Sequence, residues 1–255
     1  MKKEMTDFRI VEKTVYGDSY FALTLQHPSQ LPEITPGQFV EVLVEGTSKV
    51  MLRRPISIHD IDSKNNTLKI LIQIVGNGTR QLSRLKEGDT LNVVLPLGHG
   101  FDVAGQHVLL VGGGAGIAPL LILAKALKER ALFPTILLGG RTRSLIPVQQ
   151  PFEEVGLVGY ATEDGTLGEK GFVTQHSLLS NNYDNIYTCG PTPMMKAVAR
   201  YARDRKVPCQ VSLENMMACG LGACLCCVVE TDQGNRRVCQ EGPVFDTNNL
   251  QKWMS

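Results

Sequence analysis

Four cysteines near the end of the chain have the residue type and the spacing to do chemistry. Cys219, Cys224 and Cys227 stand as C-x4-C-x2-C, and Cys239 follows after eleven further residues. Four thiolates brought to one point are what an iron-sulfur centre requires. Gly220 and Gly222 lie between the first two thiols, and residues without a Cβ let a tight loop wrap its backbone around a cluster and aim N–H groups at sulfide. These four cysteines are therefore the expected ligands of a 2Fe-2S cluster, while Cys226, two residues after Cys224, is expected to point away from it. Zinc is the competing occupant, although zinc sites usually arrive as two C-x2-C knuckles and only Cys224 and Cys227 make one. Simple burial is the third reading, and it accounts poorly for five cysteines between Cys219 and Cys239 with glycines interleaved.

Other stretches look suited to anions. Arg53-Arg54-Pro55-Ile56-Ser57-Ile58 sets two guanidinium groups in an apolar, strand-like run. Such groups either face solvent or meet a phosphate-type ligand, because burying them unpaired is costly. Gly76-Asn77-Gly78-Thr79 opens a short helical run with N–H groups and a hydroxyl at its start, which is an anion site if it is more than a turn. Gly112-Gly113-Gly114-Ala115-Gly116-Ile117-Ala118-Pro119 and Cys189-Gly190-Pro191-Thr192-Pro193-Met194 each close a strand with glycine and reach proline near a helix start. That arrangement leaves backbone N–H groups for a pyrophosphate, with ordinary strand-to-helix turns as the alternative. The third glycine place of G-x-G-x-x-G is Pro119, so the strict dinucleotide fingerprint is not met. Arg141 and Arg143 are placed either to reach the adenosine side of a nucleotide or to face solvent, which leaves NAD and NADP both open.

The elements that must position these residues change period along the chain. Residues 1–101 read as short strands of period two: Phe39 to Val44, Pro55 to His59, Leu68 to Ile74 and Thr90 to Leu95, with turns at Pro36-Gly37, Lys64-Asn65-Asn66 and Glu87-Gly88-Asp89. This spacing suggests a small antiparallel barrel, interrupted by one helical piece from Gly78 to Leu85. Residues 102–210 alternate strand and helix, with strands at His107 to Gly112, Pro134 to Gly139, Leu157 to Ala161, Asn185 to Cys189 and Pro208 to Leu213, and helices at Leu120 to Arg130 and Pro193 to Arg205. That alternation predicts a doubly wound parallel sheet with its ligand beyond the strand C-terminal ends. Residues 211–255 form a small cysteine-bearing subdomain. The expected fold class is thus β barrel plus α/β, with an iron-sulfur subdomain at the C-terminus.

Composition sets limits on partners. A formal net charge of +1 with no basic run longer than a pair offers no electrostatic footprint for nucleic acid or an anionic membrane. No apolar run of membrane-spanning length occurs, and Met-Lys-Lys-Glu-Met-Thr-Asp at the N-terminus is not followed by the apolar segment of a signal peptide. An odd number of cysteines, seven, mostly clustered, fits metal binding in a reducing cytoplasm better than a disulfide framework.

The motifs together resemble the ferredoxin-reductase superfamily: Arg54-x-x-Ser57 followed by Gly78-Thr79, then Gly114-x-Gly116-Ile117-Ala118-Pro119 and Cys189-Gly190-Pro191. The resemblance implies FAD, with Arg54 on its pyrophosphate, Pro55, Ile56 and Ser57 along the flavin, Leu71, Ile72 and Gln73 on the neighbouring strand, and Gly78 and Thr79 at a phosphate. It further implies a pyridine nucleotide held by Gly112, Gly113, Gly114, Gly116, Ile117, Ala118, Pro119, Cys189, Gly190 and Pro191, with Cys189 near the nicotinamide. The superfamily often has Tyr two residues after the arginine; Ile56 stands there, so aromatic stacking from that position is absent. The order of modules, with Glu214-Asn-Met-Met-Ala-Cys-Gly-x-Gly-Ala-Cys and Cys239-Gln-Glu-Gly-Pro-Val-Phe, resembles the electron-transfer subunits of type B dihydroorotate dehydrogenases over essentially the whole chain. A related group, the NADH-dependent ferredoxin:NADP oxidoreductase and sulfide dehydrogenase subunits, typically carries Asp where Cys219 stands.

That family resemblance implies FAD, a 2Fe-2S cluster and diffusible NAD, and a separate FMN-containing catalytic subunit that oxidises dihydroorotate in pyrimidine (UMP) biosynthesis, assembled as a heterotetramer. Nicotinamide exchanges hydride and a 2Fe-2S centre passes single electrons, so FAD must stand between them. No residue of this chain is expected to act as a catalytic acid or base, since His27, His59, His99, His107 and His176 are scattered singly. Two other readings compete: a flavin and iron-sulfur NAD(P)H oxidoreductase subunit serving ferredoxin, sulfide or sulfite, and a non-catalytic module stabilised by zinc.

Overall fold

The computed structural model describes residues 3–254; Met1, Lys2 and Ser255, where the first and last expected segments begin and end, lie outside the described residues. Six strands close into a barrel: β1 (Glu4–Tyr16), β2 (Tyr20–Gln26), β3 (Phe39–Val42), β4 (Arg54–Asp62), β5 (Thr67–Gln73) and β6 (Thr90–Leu97), in the order β1-β2-β5-β4-β3-β6 with β6 returning to β1. Period-two alternation explains the closure. Phe8 and Ile10, Phe21, Leu23 and Leu25, Val40 and Val42, Leu68, Ile70 and Ile72, and Leu91, Val93 and Leu95 all point inward to one buried cluster. A short helix, α1 (Asn77–Leu82), lies between β5 and β6.

The expected strands of this half are present, and two more precede them. β1 carries few inward apolar residues, and its register shifts between Ile10 and Glu12. A bulge of that kind breaks the alternation by which a strand is recognised from sequence.

The second layer is a seven-stranded sheet, with β7 (Val108–Gly113), β8 (Thr135–Gly140), β9 (Leu157–Thr162), β10 (Glu169–Lys170), β11 (Asn185–Cys189) and β12 (Cys209–Ser212) parallel. Helices α2 (Ala118–Glu129), α3 (Gln150–Glu153) and α4 (Thr192–Asp204) connect them. The spatial order places β7 between β8 and β11. The chain therefore leaves β7 in one direction and returns on its other side, and the crevice at such a reversal is where open α/β sheets take ligands.

The C-terminal segment adds a hairpin, β13 (Val228–Thr231) with β14 (Gly234–Arg237), then β15 (Val244–Asp246) and α5 (Gln251–Met254). β15 joins the parallel sheet as an antiparallel edge strand on β12, pairing Val244 with Ser212. The same segment touches the barrel, where the His99 N–H donates to the Gly242 carbonyl. Phe39 and Leu97 of the barrel share a buried cluster with Cys227, Val229, Val238 and Cys239. Among the described residues no helix is long and apolar enough to cross a membrane.

Candidate functional site

The two arginines of β4 divide the work between them. The Arg53 guanidinium turns across the barrel strands and donates to the carbonyls of Glu41 and Asn92, at 3.3 and 3.2 Å, and to the Asn92 side chain. Arg54 turns toward α1 instead: a Cβ on Gly78 would lie 2.6 Å from its Nε. Among the described residues no carboxylate forms an ion pair with Arg54. A half-buried guanidinium against a glycine it alone can accommodate fits one phosphate of a dinucleotide. Thr79 is occupied locally, its Oγ1 accepting from the N–H groups of Val75 and Gly76 at 2.9 and 3.1 Å. It thus shapes the turn that presents Gly78.

Pro55, Ile56 and Ser57 continue along β4, with Pro55 opposite Glu41 and Ser57 opposite Phe39 on β3. Leu71 faces the nucleotide-domain cluster, whereas Ile72 points into the barrel interior, so only its backbone faces outward. Gln73 is half-buried beside Tyr20, its partner across β2 and β5.

A cleft of about 710 Å³ opens between barrel and sheet, and Tyr20, Gln73, Gly113, Gly116, Gly190 and Glu214 are among its walls. The loops after β7 and β11, far apart in sequence, touch here. Cys189 is in register with Gly112, and a Cβ on Gly116 would lie 2.4 Å from the Gly190 Cα. Gly113, Gly114, Gly116, Gly190 and Pro191 line the cleft, while Gly112, Ile117, Ala118, Pro119 and Cys189 are buried behind it and pack its walls. Arg141 also lines the cleft, beside Glu163.

Burial, followed by the charge of Glu214, pushes the Cys189 thiol well above its usual range. A buried thiol held protonated is no nucleophile, and its small volume is what it supplies. Burial raises Glu214 as well. The Tyr20 hydroxyl, pushed up to about 12 by burial and then by Glu214, has no hydrogen-bond partner among the described residues. Tyr20 carries no sequence signal of its own, being one polar residue at a strand start, and Glu214 opens the cysteine-loop motif without any sign that it belongs to the cleft. Their place in the cleft comes from the barrel packing on the sheet.

The cysteine loop brings its thiols together in two pairs. Cys219 lies beside Cys224, and Cys239 beside Cys227. Backbone donors surround them: Leu221 N–H lies 3.4 Å from Cys219 Sγ, and Cys239 N–H 3.4 Å from Cys227 Sγ. Burial works against ionisation of Cys219, but the N–H groups of Leu221, Cys224 and Ala223 outweigh it and draw the thiol down to about 6. Among the described residues no three His, Cys, Asp or Glu side chains gather closely enough for a single metal ion. Two pairs of thiols suit a two-iron cluster, which takes two protein ligands per iron, better than one tetrahedral zinc. Cys226 is exposed.

One further residue joins the cysteine loop to the barrel. Glu41 of β3 is 1% exposed, and neither of its carboxylate oxygens has a hydrogen-bond partner among the described residues. Burial pushes it up to about 7, against the attraction of Arg53 and Arg54 and with the charge of Cys219 adding to the rise.

Family models match the barrel and the cysteine-bearing segment. Residues 8–101 match the oxidoreductase FAD-binding domain, and residues 214–251 the iron-sulfur cluster binding domain of dihydroorotate dehydrogenase B. A protein of Shouchella clausii named dihydroorotate dehydrogenase B (NAD(+)), electron transfer subunit, is 38% identical, the match covering 98% of this chain and 99% of that protein. The protein of the same name from Caldanaerobacter subterraneus is 41% identical, over 93% and 94%. A solved NADH-dependent reduced ferredoxin-NADP oxidoreductase, described in connection with flavin-based electron bifurcation, superposes with a TM-score of 0.85 at 34% identity, over 95% of this chain and 88% of that one. The ferredoxin reductase of carbazole 1,9a-dioxygenase, at 22% identity and a TM-score of 0.69 over 81% and 67%, shares the fold.

Fold and site together define a flavin- and iron-sulfur-dependent oxidoreductase of the ferredoxin-reductase type. Within that class the chain belongs to the family of dihydroorotate dehydrogenase B (NAD(+)) electron transfer subunits.

Proposed function

We propose that this chain carries electrons from an FMN-containing dihydroorotate dehydrogenase catalytic subunit to NAD in pyrimidine biosynthesis, in a heterotetramer with two copies of each chain. FAD supplies the exchange between single-electron and hydride transfer that neither a 2Fe-2S centre nor nicotinamide provides alone. The protein's own part is positioning. Arg54 and the turn at Gly78 hold the flavin phosphates, Ser57 sits along the ring, and Gly113, Gly114, Gly116, Gly190 and Pro191 bring the nicotinamide nucleotide into the cleft. Gly112, Ile117, Ala118, Pro119 and Cys189 shape that cleft from behind. Cys219, Cys224, Cys227 and Cys239 hold the cluster. On this reading the chain divides into residues 1–101 for FAD, 102–210 for NAD and 211–255 for the cluster.

The observation that carries the proposal is that Glu214, five residues before Cys219, lines the cleft formed by the barrel and the two glycine loops. The cysteine loop therefore grows out of the wall of the nucleotide site, which keeps one-electron and two-electron chemistry within one rigid frame. Stopped-flow mixing tests it. NADH should bleach the flavin of the chain alone, and dihydroorotate should do so only when the FMN subunit is added; reduction by dihydroorotate without that subunit would overturn the division of labour.

The 34% identity to the ferredoxin-NADP oxidoreductase supports a second reading, in which the partner serves ferredoxin. The presence of Cys219, the coverage by the two matches of 38% and 41% and the matching cluster-domain model favour the first. Copurification from the native source separates them by whether an FMN protein that oxidises dihydroorotate comes with the chain.

A further inference from the structure

Glu41 calls for an explanation that flavin, nucleotide and cysteine ligation do not supply. It lies on β3, directly opposite Pro55 in the strand that carries Arg54 and Ser57, and its carboxylate is buried with both oxygens unpartnered among the described residues. Such a group is expensive to keep in a protein interior without hydrogen bonds. Neither neighbouring cation forms an ion pair with it: Arg53 donates to Asn92 and to the Glu41 carbonyl, and Arg54, which packs against Gly78, donates to the Arg53 carbonyl. The remaining side faces the cysteine loop. Gly220 there has a φ of +63°, and a Cβ on it would lie 2.7 Å from Glu41 Cγ and 3.0 Å from Oε1. The backbone that leaves Cys219 thus runs directly against a carboxylate belonging to the flavin barrel.

We propose that Glu41 is a positioning residue whose carboxylate sets the reduction potential of the cluster held by Cys219, Cys224, Cys227 and Cys239. The inference rests on the assignment of those cysteines to a 2Fe-2S cluster. Potentials of such centres respond to net charge, hydrogen bonding and solvent exposure. When ionised, a carboxylate in a poorly screened interior disfavours adding an electron nearby. Ionised Glu41 would therefore hold the potential down. A side chain at Gly220 would also press on the carboxylate, in addition to the strain of its left-handed backbone.

The test is a potentiometric titration of the full chain loaded with FAD and cluster, followed by electron paramagnetic resonance of the reduced cluster, at a pH where the carboxylate is ionised. Wild-type protein is measured first for iron content and signal; lack of a two-iron cluster there would defeat the ligand assignment rather than the role of Glu41. Glu41→Gln should retain iron and flavin and make the cluster easier to reduce by at least about tenfold in the one-electron equilibrium, roughly 59 mV upward. Glu41→Asp, which keeps the charge but withdraws it by one methylene, should move the midpoint the same way by less. An unchanged midpoint in an iron-replete Gln variant overturns the proposal. If the Gln variant fails to take up iron, an unchanged midpoint in the Asp variant does so.

Discussion

His59 Nδ1 of β4 donates to the carbonyl oxygen of Ala118, the first residue of α2, at 3.0 Å. One residue on, Asp60 meets Lys125 of the same helix at 2.5 Å. The strand that carries Arg54 and Ser57, the residues proposed to meet FAD, is thus tied at its other end to the helix that follows the first glycine loop. The contact to a carbonyl fixes the tautomer with hydrogen on Nδ1, and burial lowers the imidazole to about 4.

This coupling makes stability depend on acid. The folded value lies below the ordinary one near 6.5, so between the two the unfolded chain binds more protons than the folded chain. Stability should be fully present above about pH 6.5 and fall as pH drops toward about 4, by roughly 3 kcal/mol in all. Thermal melts across that range should show the loss, and His59→Gln, which keeps a donor without a titrating ring, should flatten the dependence. An equal slope in that variant would assign the acid sensitivity to other groups.

The division between the two arginines gives opposite expectations for their removal. Arg54→Ala should weaken FAD binding by about ten- to a hundred-fold, the loss of a charge-assisted contact of about 1.5 to 3 kcal/mol. Gly78→Ala should act in the same direction, since its Cβ would meet Arg54 Nε at 2.6 Å. Arg53→Ala should cost folding stability, through its lost bonds to Glu41 and Asn92, more than flavin affinity. Flavin fluorescence on dilution measures the first two, and undiminished retention in Arg54→Ala would remove Arg54 from the FAD site.

For the cysteines the expectation is selective. Single Ser substitutions at Cys219, Cys224, Cys227 or Cys239 should abolish the two-iron content, and Cys226→Ser should leave it intact. Iron and sulfide analysis decides, with the reverse pattern at Cys219 and Cys226 fatal to the assignment.

Gly116→Ala tests the meeting of the two glycine loops. Its Cβ would lie 2.4 Å from backbone atoms at Gly190, which cannot rotate away as a side chain does. We expect NADH to bleach the flavin at least about tenfold more slowly, equivalent to about 1.4 kcal/mol or more in the barrier, while FAD stays bound. Normal rates would show that Gly190 yields.

The local signals in this sequence were strong where one residue's environment is set by its near neighbours. Alternation along β3 to β6, glycine runs at the ends of β7 and β11, and the cysteine spacing all report on short-range geometry, and they were enough for the barrel, the parallel sheet and the candidate ligands. β1, β2, β10 and β13 to β15 were not legible, β1 because a bulge interrupts its period and β10 and β15 because two or three residues carry no period at all. Tertiary structure alone decided which arginine turns to the barrel and which to Gly78, and which glycines line the cleft and which only pack behind it. It also decided that Glu41 lies against Gly220 of the cysteine loop, about 180 residues away in the chain, and that Glu214 lines the cleft. Burial of a carboxylate follows from what the rest of the chain places over it, so it cannot be read from the residue or its neighbours in sequence.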